Sequence, residues 1–180
     1  SADFVVEERL GFEPDGGGAH FLLRVEKQDA NTLHVARELA ASVGRPTAEI
    51  GFAGMKDRRA IARQWFSVPF VKGKEPAAGT AGNGYRVLAA HPHSRKLRRG
   101  ALAGNHFQLR VRDISGDSAA LAIRLALVGA QGFPNYYGVQ RFGIDCANLA
   151  RVQQSLERGS LPPGREARAF ILSSARALAF

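Results

Sequence analysis

The stretch GFAGMKDRRA, residues 51–60, places one carboxylate, Asp57, among Lys56, Arg58 and Arg59 and behind two glycines, Gly51 and Gly54. Glycine lets a backbone turn or approach another group closely, and clustered cations create positive potential. An acid flanked by bases most often forms a weak surface ion pair. A chemical role for Asp57 therefore needs support from the rest of the chain.

Other chemistries fail on spacing. The five histidines, His20, His34, His91, His93 and His106, are scattered. Only His91-Pro92-His93 resembles a pair, and it lacks a third ligand at a metal-binding interval, so no metal site is expected. That histidine pair reads as solvated or RNA-contacting. A Walker pattern and a nucleophile elbow are both missing, and DGGGAH follows a strand without opening a helix. The single Cys146 excludes an internal disulfide framework and reads as a buried structural thiol. What remains is basic, aromatic and amide-rich. Arg95, Lys96, Arg98 and Arg99 can neutralise phosphates, Phe107, Tyr136, Tyr137 and Phe142 offer stacking faces, and Asn105, Asn135 and Gln140 carry the donor and acceptor pairs that read a base edge. Taken singly, each is unspecific; Phe107 in an alternating strand is more often core.

These residues must be positioned by a mixture of strands and helices. DFVVEERLGF and HFLLRVEK, joined by EPDGGG, read as a hairpin. NTLHVARELAASVG has Leu33, Val35, Ala36, Leu39, Ala40 and Val43 at helical spacing, with Asn31 or Thr32 as cap and Gly44 as stop. RQWFSVPFV and YRVLAAHPH read as strands around a surface loop. In NHFQLRVR, residues Phe107, Leu109 and Val111 alternate with His106, Gln108, Arg110 and Arg112, the pattern of a half-buried strand. Asp117 caps an amphipathic helix ending at Gly129 or Gly132. A further helix spans about 147–158, and ARAFILSSARALAF is an apolar helical pattern that stops without a cap. The class is α+β.

At 180 residues and 45% hydrophobic, the chain supports one well-buried core or at most two small ones. The 25 Lys plus Arg against 16 Asp plus Glu give a formal charge of +9, and the pI is near 10.6. Such a balance favours a polyanionic partner without separating RNA from DNA. Signal-peptide order and membrane-length apolar runs are missing, so the expectation is a soluble, cytoplasmic protein with no membrane contact.

Three blocks, GFAGMKDRRAIARQWFSV, RKLRRGALAGNHFQLRVR and GFPNYYGVQRFG, together with the opening DFVVEE, closely resemble the TruD family of tRNA pseudouridine synthases, in family order over essentially the whole chain. The resemblance implies a pseudouridine-synthase-like catalytic domain with a mixed, mainly antiparallel sheet flanked by helices. It implies cofactor-free isomerisation of uridine to pseudouridine at U13 in the D arm of tRNA, with no obligate protein partner. By the family's KD motif Asp57 is the catalytic aspartate, and a carboxylate that must stay ionised near a polyanion is well served by neighbouring cations. Phe107 would stack on the target base, Asn105 would orient groups around Asp57, and Phe4 would line the same pocket. Lys56, Asn135, Gln140 and Arg141 would contact the substrate, Arg141 alternatively pairing with an acid, while Arg58, Arg95, Lys96, Arg98 and Arg99 would meet the RNA backbone.

Two positions depart from the family pattern: Ala62 replaces a usual Thr and Tyr137 a usual Phe. Family members also continue into an inserted domain and then complete the catalytic domain. Residues 1–180 are accordingly expected to form its N-terminal major part and to be weakly active or inactive alone. A non-enzymatic KH-type module would also use a GxxG loop, but that loop should open an apolar helix, and KDRRAIARQ is mostly charged. An inactive tRNA-binding homologue is the remaining alternative.

Overall fold

A computed structural model describes every residue except 1 and 135, with only the main chain at 166. The chain divides into two compact units, residues 1–114 and 115–180. Each is described by itself.

The first unit is built on a sheet of seven strands: β1 (Phe4–Leu10), β2 (His20–Lys27), β3 (Gly51–Phe52), β4 (Ile61–Pro69), β5 (Ala81–Gly82), β6 (Tyr85–His93) and β7 (Leu102–Leu109). The order is β5-β6-β2-β4-β1-β7, with β3 also on β4. The pairing of β1 with β4 is parallel, and the other pairings are antiparallel. The α+β class and the mainly antiparallel sheet are as expected.

The opening hairpin is not. Both strands form where the alternation of Phe, Val and Leu puts them, yet β4 lies between them. Their connection is too long for a tight reversal, and its turn residues dock on β6 instead. The Asp15 carboxylate accepts hydrogen bonds from the Ser94 main-chain N–H at 2.9 Å and from the Ser94 hydroxyl. It also accepts from Gly17 N at 3.2 Å.

Helix α1 (Thr32–Val43) follows its apolar spacing and ends at Gly44, whose φ of 68° supplies the left-handed stop. Its Val35, Ala36, Leu39, Ala40 and Val43 pack on Leu23, Val25, Phe66, Val68 and Val87. That helix covers one half of one sheet face. On the opposite face Leu22, Ala53 and Leu97 form a smaller cluster. Leu97 arrives there on the basic loop between β6 and β7, held by its N–H donating to Ser67 Oγ at 2.8 Å.

Strand β7 is an edge in the described sheet, and its expected half-burial does not occur. Phe107, Leu109 and Val111 are 55%, 67% and 72% exposed, because α1 covers the β2, β4 and β6 side of the face and stops short of β7.

The second unit holds α2 (Ser118–Gln131), α3 (Ala147–Glu157) and α4 (Arg165–Ala179). Asp117 caps α2 as its sequence requires, accepting from Ala119 N at 2.8 Å, and Gly132 ends it. No side chain of α2 is buried, so its apolar residues make no core. Val152 of α3 and Ile171, Ser174 and Ala177 of α4 are buried, and these two helices pack together. Cys146 is half-buried rather than buried.

Gly51 is fixed by close packing. A Cβ there would lie 2.3 Å from Ser67 Oγ and 2.4 Å from the Leu97 carbonyl. Gly51→Ala should therefore lower stability by about 1–3 kcal/mol, read from the denaturant midpoint of unfolding, with the basic loop displaced.

Candidate functional site

Asp57 lies on the connection from β3 to β4, in neither helix nor strand, and its side chain is exposed. A loop of this kind must find partners for its main-chain groups outside secondary structure. Here they come from side chains rooted in the sheet and α1. Lys56 N donates to Thr32 Oγ1 at 3.0 Å, and the Thr32 hydroxyl donates to Gln64 Oε1 at 2.9 Å. Gln64 Nε2 returns to the Gly54 carbonyl at 3.4 Å. Lys27 Nζ donates to the Asp57 carbonyl at 2.7 Å and to the Ala30 carbonyl at 2.9 Å. Arg58 Nε reaches the carbonyl of Asp29, itself in the left-handed region, at 3.1 Å.

On its other flank the loop meets β1. Lys56 Nζ pairs with Glu8 Oε2 at 2.5 Å, both side chains almost fully buried. Glu8 Oε1 also accepts from Trp65 N at 3.1 Å, beyond the Val5–Glu7 pairing of β1 with β4. One carboxylate thus serves both a strand N–H and the lysine preceding Asp57.

The β1–β7 register then sets the rest of the face. Val6 stands opposite Phe107 and Glu8 opposite Asn105, so Phe4, Val6, Glu8, Asn105 and Phe107 share one side of the sheet. The rings of Phe4 and Phe107 lie 6.1 Å apart and 16° from parallel. Phe4 also packs on Val6, Ala60 and Ala62. Ala62 is buried opposite Val6, and this packed position carries the departure from the usual Thr.

Of the residues singled out in the sequence, Phe4, Lys56, Asn105 and Phe107 therefore come together with the Asp57 loop in the first unit. Gln140 and Arg141 belong to the second unit and Asn135 lies outside the described residues. Within that unit Arg141 donates to Ser173 Oγ at 2.6 Å and sits 5.0 Å from the centre of the Tyr137 ring.

The four cations of the β6–β7 loop are not equivalent. All four are exposed, but Arg99 stacks 3.7 Å over the Phe52 ring and Lys96 donates to the Ala48 carbonyl at 2.5 Å. Gly100 N donates to the Ala53 carbonyl at 2.8 Å, tying this loop to the one bearing Asp57. Of the histidine pair, His91 tilts against Trp65 and His93 is buried beside Asp15. No group of three potential metal ligands occurs among the described residues, and no described helix is long and apolar enough to cross a membrane.

Glu8 and Lys27 were not among the candidates read from sequence. The signal was one of phase: Glu8 shares parity with Phe4 and Val6, and Lys27 with Phe21, Leu23 and Val25, so a charge falls in the apolar phase of each strand. Lys27 is 0% exposed. Its burial lowers the ammonium from the ordinary 10.5 to about 8, with Asp57 raising it and Lys56 lowering it.

The GxxG loop leads into strand β4 rather than a helix, which removes the KH reading. A sheet with one parallel pair in an antiparallel order, carrying this loop, belongs to the pseudouridine-synthase fold, as comparison with known proteins bears out. A crystal structure of a Methanosarcina mazei protein assigned to tRNA pseudouridine synthase D (TruD) superposes with a TM-score of 0.67 at 27% identity, covering 93% of this chain and 42% of that one. The family model for tRNA pseudouridine synthase D (TruD) matches residues 1–162; the chain belongs to the TruD family. The tRNA pseudouridine synthase D of Pseudomonas fluorescens is 41% identical over 179 residues, which are 99% of this chain and 51% of that protein. Its counterpart in Azotobacter vinelandii is 44% identical over the same coverage. The chain thus spans about half the length of the curated relatives it matches.

Two outcomes follow from the buried charges. Glu8→Ala strands the Lys56 ammonium and should cost about 3–5 kcal/mol, of which Glu8→Ala combined with Lys56→Met recovers more than half, by urea unfolding. For Lys27, the unfolded chain holds more protons than the folded one between the lowered value of about 8 and the ordinary 10.5. Stability contributed by this group therefore rises with pH across that window, and the rise should vanish in Lys27→Met when unfolding midpoints are compared across it.

Proposed function

We propose that this protein is a tRNA pseudouridine synthase acting on the D-arm uridine U13, with Asp57 as the catalytic carboxylate. The observation that carries this reading is the pinned loop: Asp57 presents an exposed carboxylate from a main chain fixed at 54, 56 and 57, alongside a sheet face bearing Phe4, Asn105 and Phe107. A reactive group held on restrained backbone needs little reorganisation when substrate arrives.

The reaction balances within the substrate. The C1′–N1 bond breaks, the uracil turns while still bound, and C5 bonds to C1′; C5 gives up its proton and N1 gains one. No external oxidant or reductant is required, and the protein must supply a nucleophile or base, a stacking surface and a site that retains the freed base. Asp57 supplies the first. The exposed ring of Phe107, backed by Phe4, supplies the second, and the Asn105 amide bonds polar edges near Asp57. Lys56 enters by holding the loop through Glu8, and the family motif makes Asn135, Gln140 and Arg141 further candidates for substrate contact. Arg58, Arg95, Lys96, Arg98 and Arg99 track the RNA backbone, Arg95 and Arg98 being the most available. The charge of +9 agrees with a polyanionic substrate.

The test is pseudouridine formation in a uridine-containing tRNA, using the complete natural chain and its Asp57→Asn variant. Conversion should fall by about 10³-fold or more in the variant while tRNA affinity stays the same. Equal conversion by both would remove Asp57 from the chemistry. Binding without conversion by the unmutated protein would favour a tRNA-binding role instead.

A further inference from the structure

We propose that Lys27 is a positioning residue for the reaction: from inside the sheet it clamps the main chain of Asp57 to the β2–α1 connection and so fixes where the carboxylate can stand. The inference rests on the reading of Asp57 given above and extends it to a residue in no contact role with substrate.

Three observations carry it. Lys27 ends β2 on the same face as Phe21, Leu23 and Val25, where an apolar side chain would fill the space without the desolvation cost of an ammonium group. Its Nζ donates to two carbonyls, one of Ala30 and one of Asp57 itself. The residues on either side of Asp57 are anchored close by, the Lys56 N–H to Thr32 at the start of α1 and the Arg58 side chain to the Asp29 carbonyl of that connection. Losing the central bond would leave the two outer ones and free the main chain between them.

The ammonium is also near its titration range, with a value of about 8. The loop faces it with Lys56 and Asp57. Tyr85 lies opposite on β6, its ionisation pushed upward by burial and by Glu38 of α1. Glu8 of β1 is engaged by Lys56, the α1 start presents the uncharged Thr32, and Ala62 stands opposite on β4. Deprotonation would weaken the clamp by turning charge-assisted donors into neutral ones.

The experiment measures single-turnover rate, KM and tRNA affinity for the complete natural chain, Lys27→Met, Lys27→Arg and Asp57→Asn. Lys27→Met should lower the rate about 10- to 100-fold with KM and affinity within about threefold, since a small misplacement of the reacting group acts on the chemical step. Lys27→Arg should recover most of the loss. The unmutated enzyme should lose rate as pH rises through about 8, a limb that Lys27→Met lacks. A Lys27→Met rate within about twofold of the original overturns the inference, as does loss of tRNA affinity in step with rate. Should Lys27→Met not fold, the unmutated enzyme decides: a rate level from about pH 7 to about pH 9 overturns the inference. Active Asp57→Asn would sink the reading of Asp57 itself, whereas inactive Asp57→Asn beside fully active Lys27→Met would sink only the role of Lys27.

Discussion

The first unit depends on how one irregular loop is held. Between Gly54 and Arg58 the chain has no ladder or helix of its own; its main-chain groups are met by Gln64, Thr32 and Lys27, while the Arg58 side chain reaches the Asp29 carbonyl. Those groups belong to β4, the start of α1, the end of β2 and the β2–α1 connection. The sheet order that places β2 beside β4, and α1 over both, is what brings them within reach of one loop. A different order would leave the loop without partners, each unmet buried polar group costing about 1–3 kcal/mol.

The same sheet face therefore carries two kinds of surface. Over β2, β4 and β6 it is dry and covered by α1. Beyond β1, at β7, it is uncovered, and Phe107 stands in the open where a core would otherwise begin. The buried pair of Glu8 and Lys56 marks the boundary between them, joining the loop to β1. Exposing an aromatic ring in this way costs the fold burial it could have had, and the ring remains available to a flat partner.

Local chemistry in the sequence is a good guide to elements and a poor one to neighbours. Alternating Phe, Val and Leu locates β1 and β2, helical spacing locates α1, and Asp117 locates the start of α2, because each signal is a property of the segment alone. The hairpin reading fails because nothing in EPDGGG says that β4 will enter between its flanking strands. The burial readings of β7 and α2 fail for a related reason: an apolar stripe states what a segment would bury, and only packing decides whether anything covers it. Asp57, Asn105 and Phe107 stand out through motif; Lys27 and Glu8 do not, since a charge in the apolar phase of a strand looks like an exposed end until the loop above it is seen.

The one-to-one pairing of β1 with β7 from Phe4 to Arg9 also bears on which changes in chain length this protein tolerates. Opposite residues share a face because side chains alternate along each strand, so deleting one residue between Gly104 and Phe107 would carry the phenylalanine ring through to the other side of the sheet. The long connection between β4 and β5 has no such parity to preserve. Lineages of this family should therefore drift in length there, while the single residue joining Asn105 to Phe107 is kept even where its identity changes.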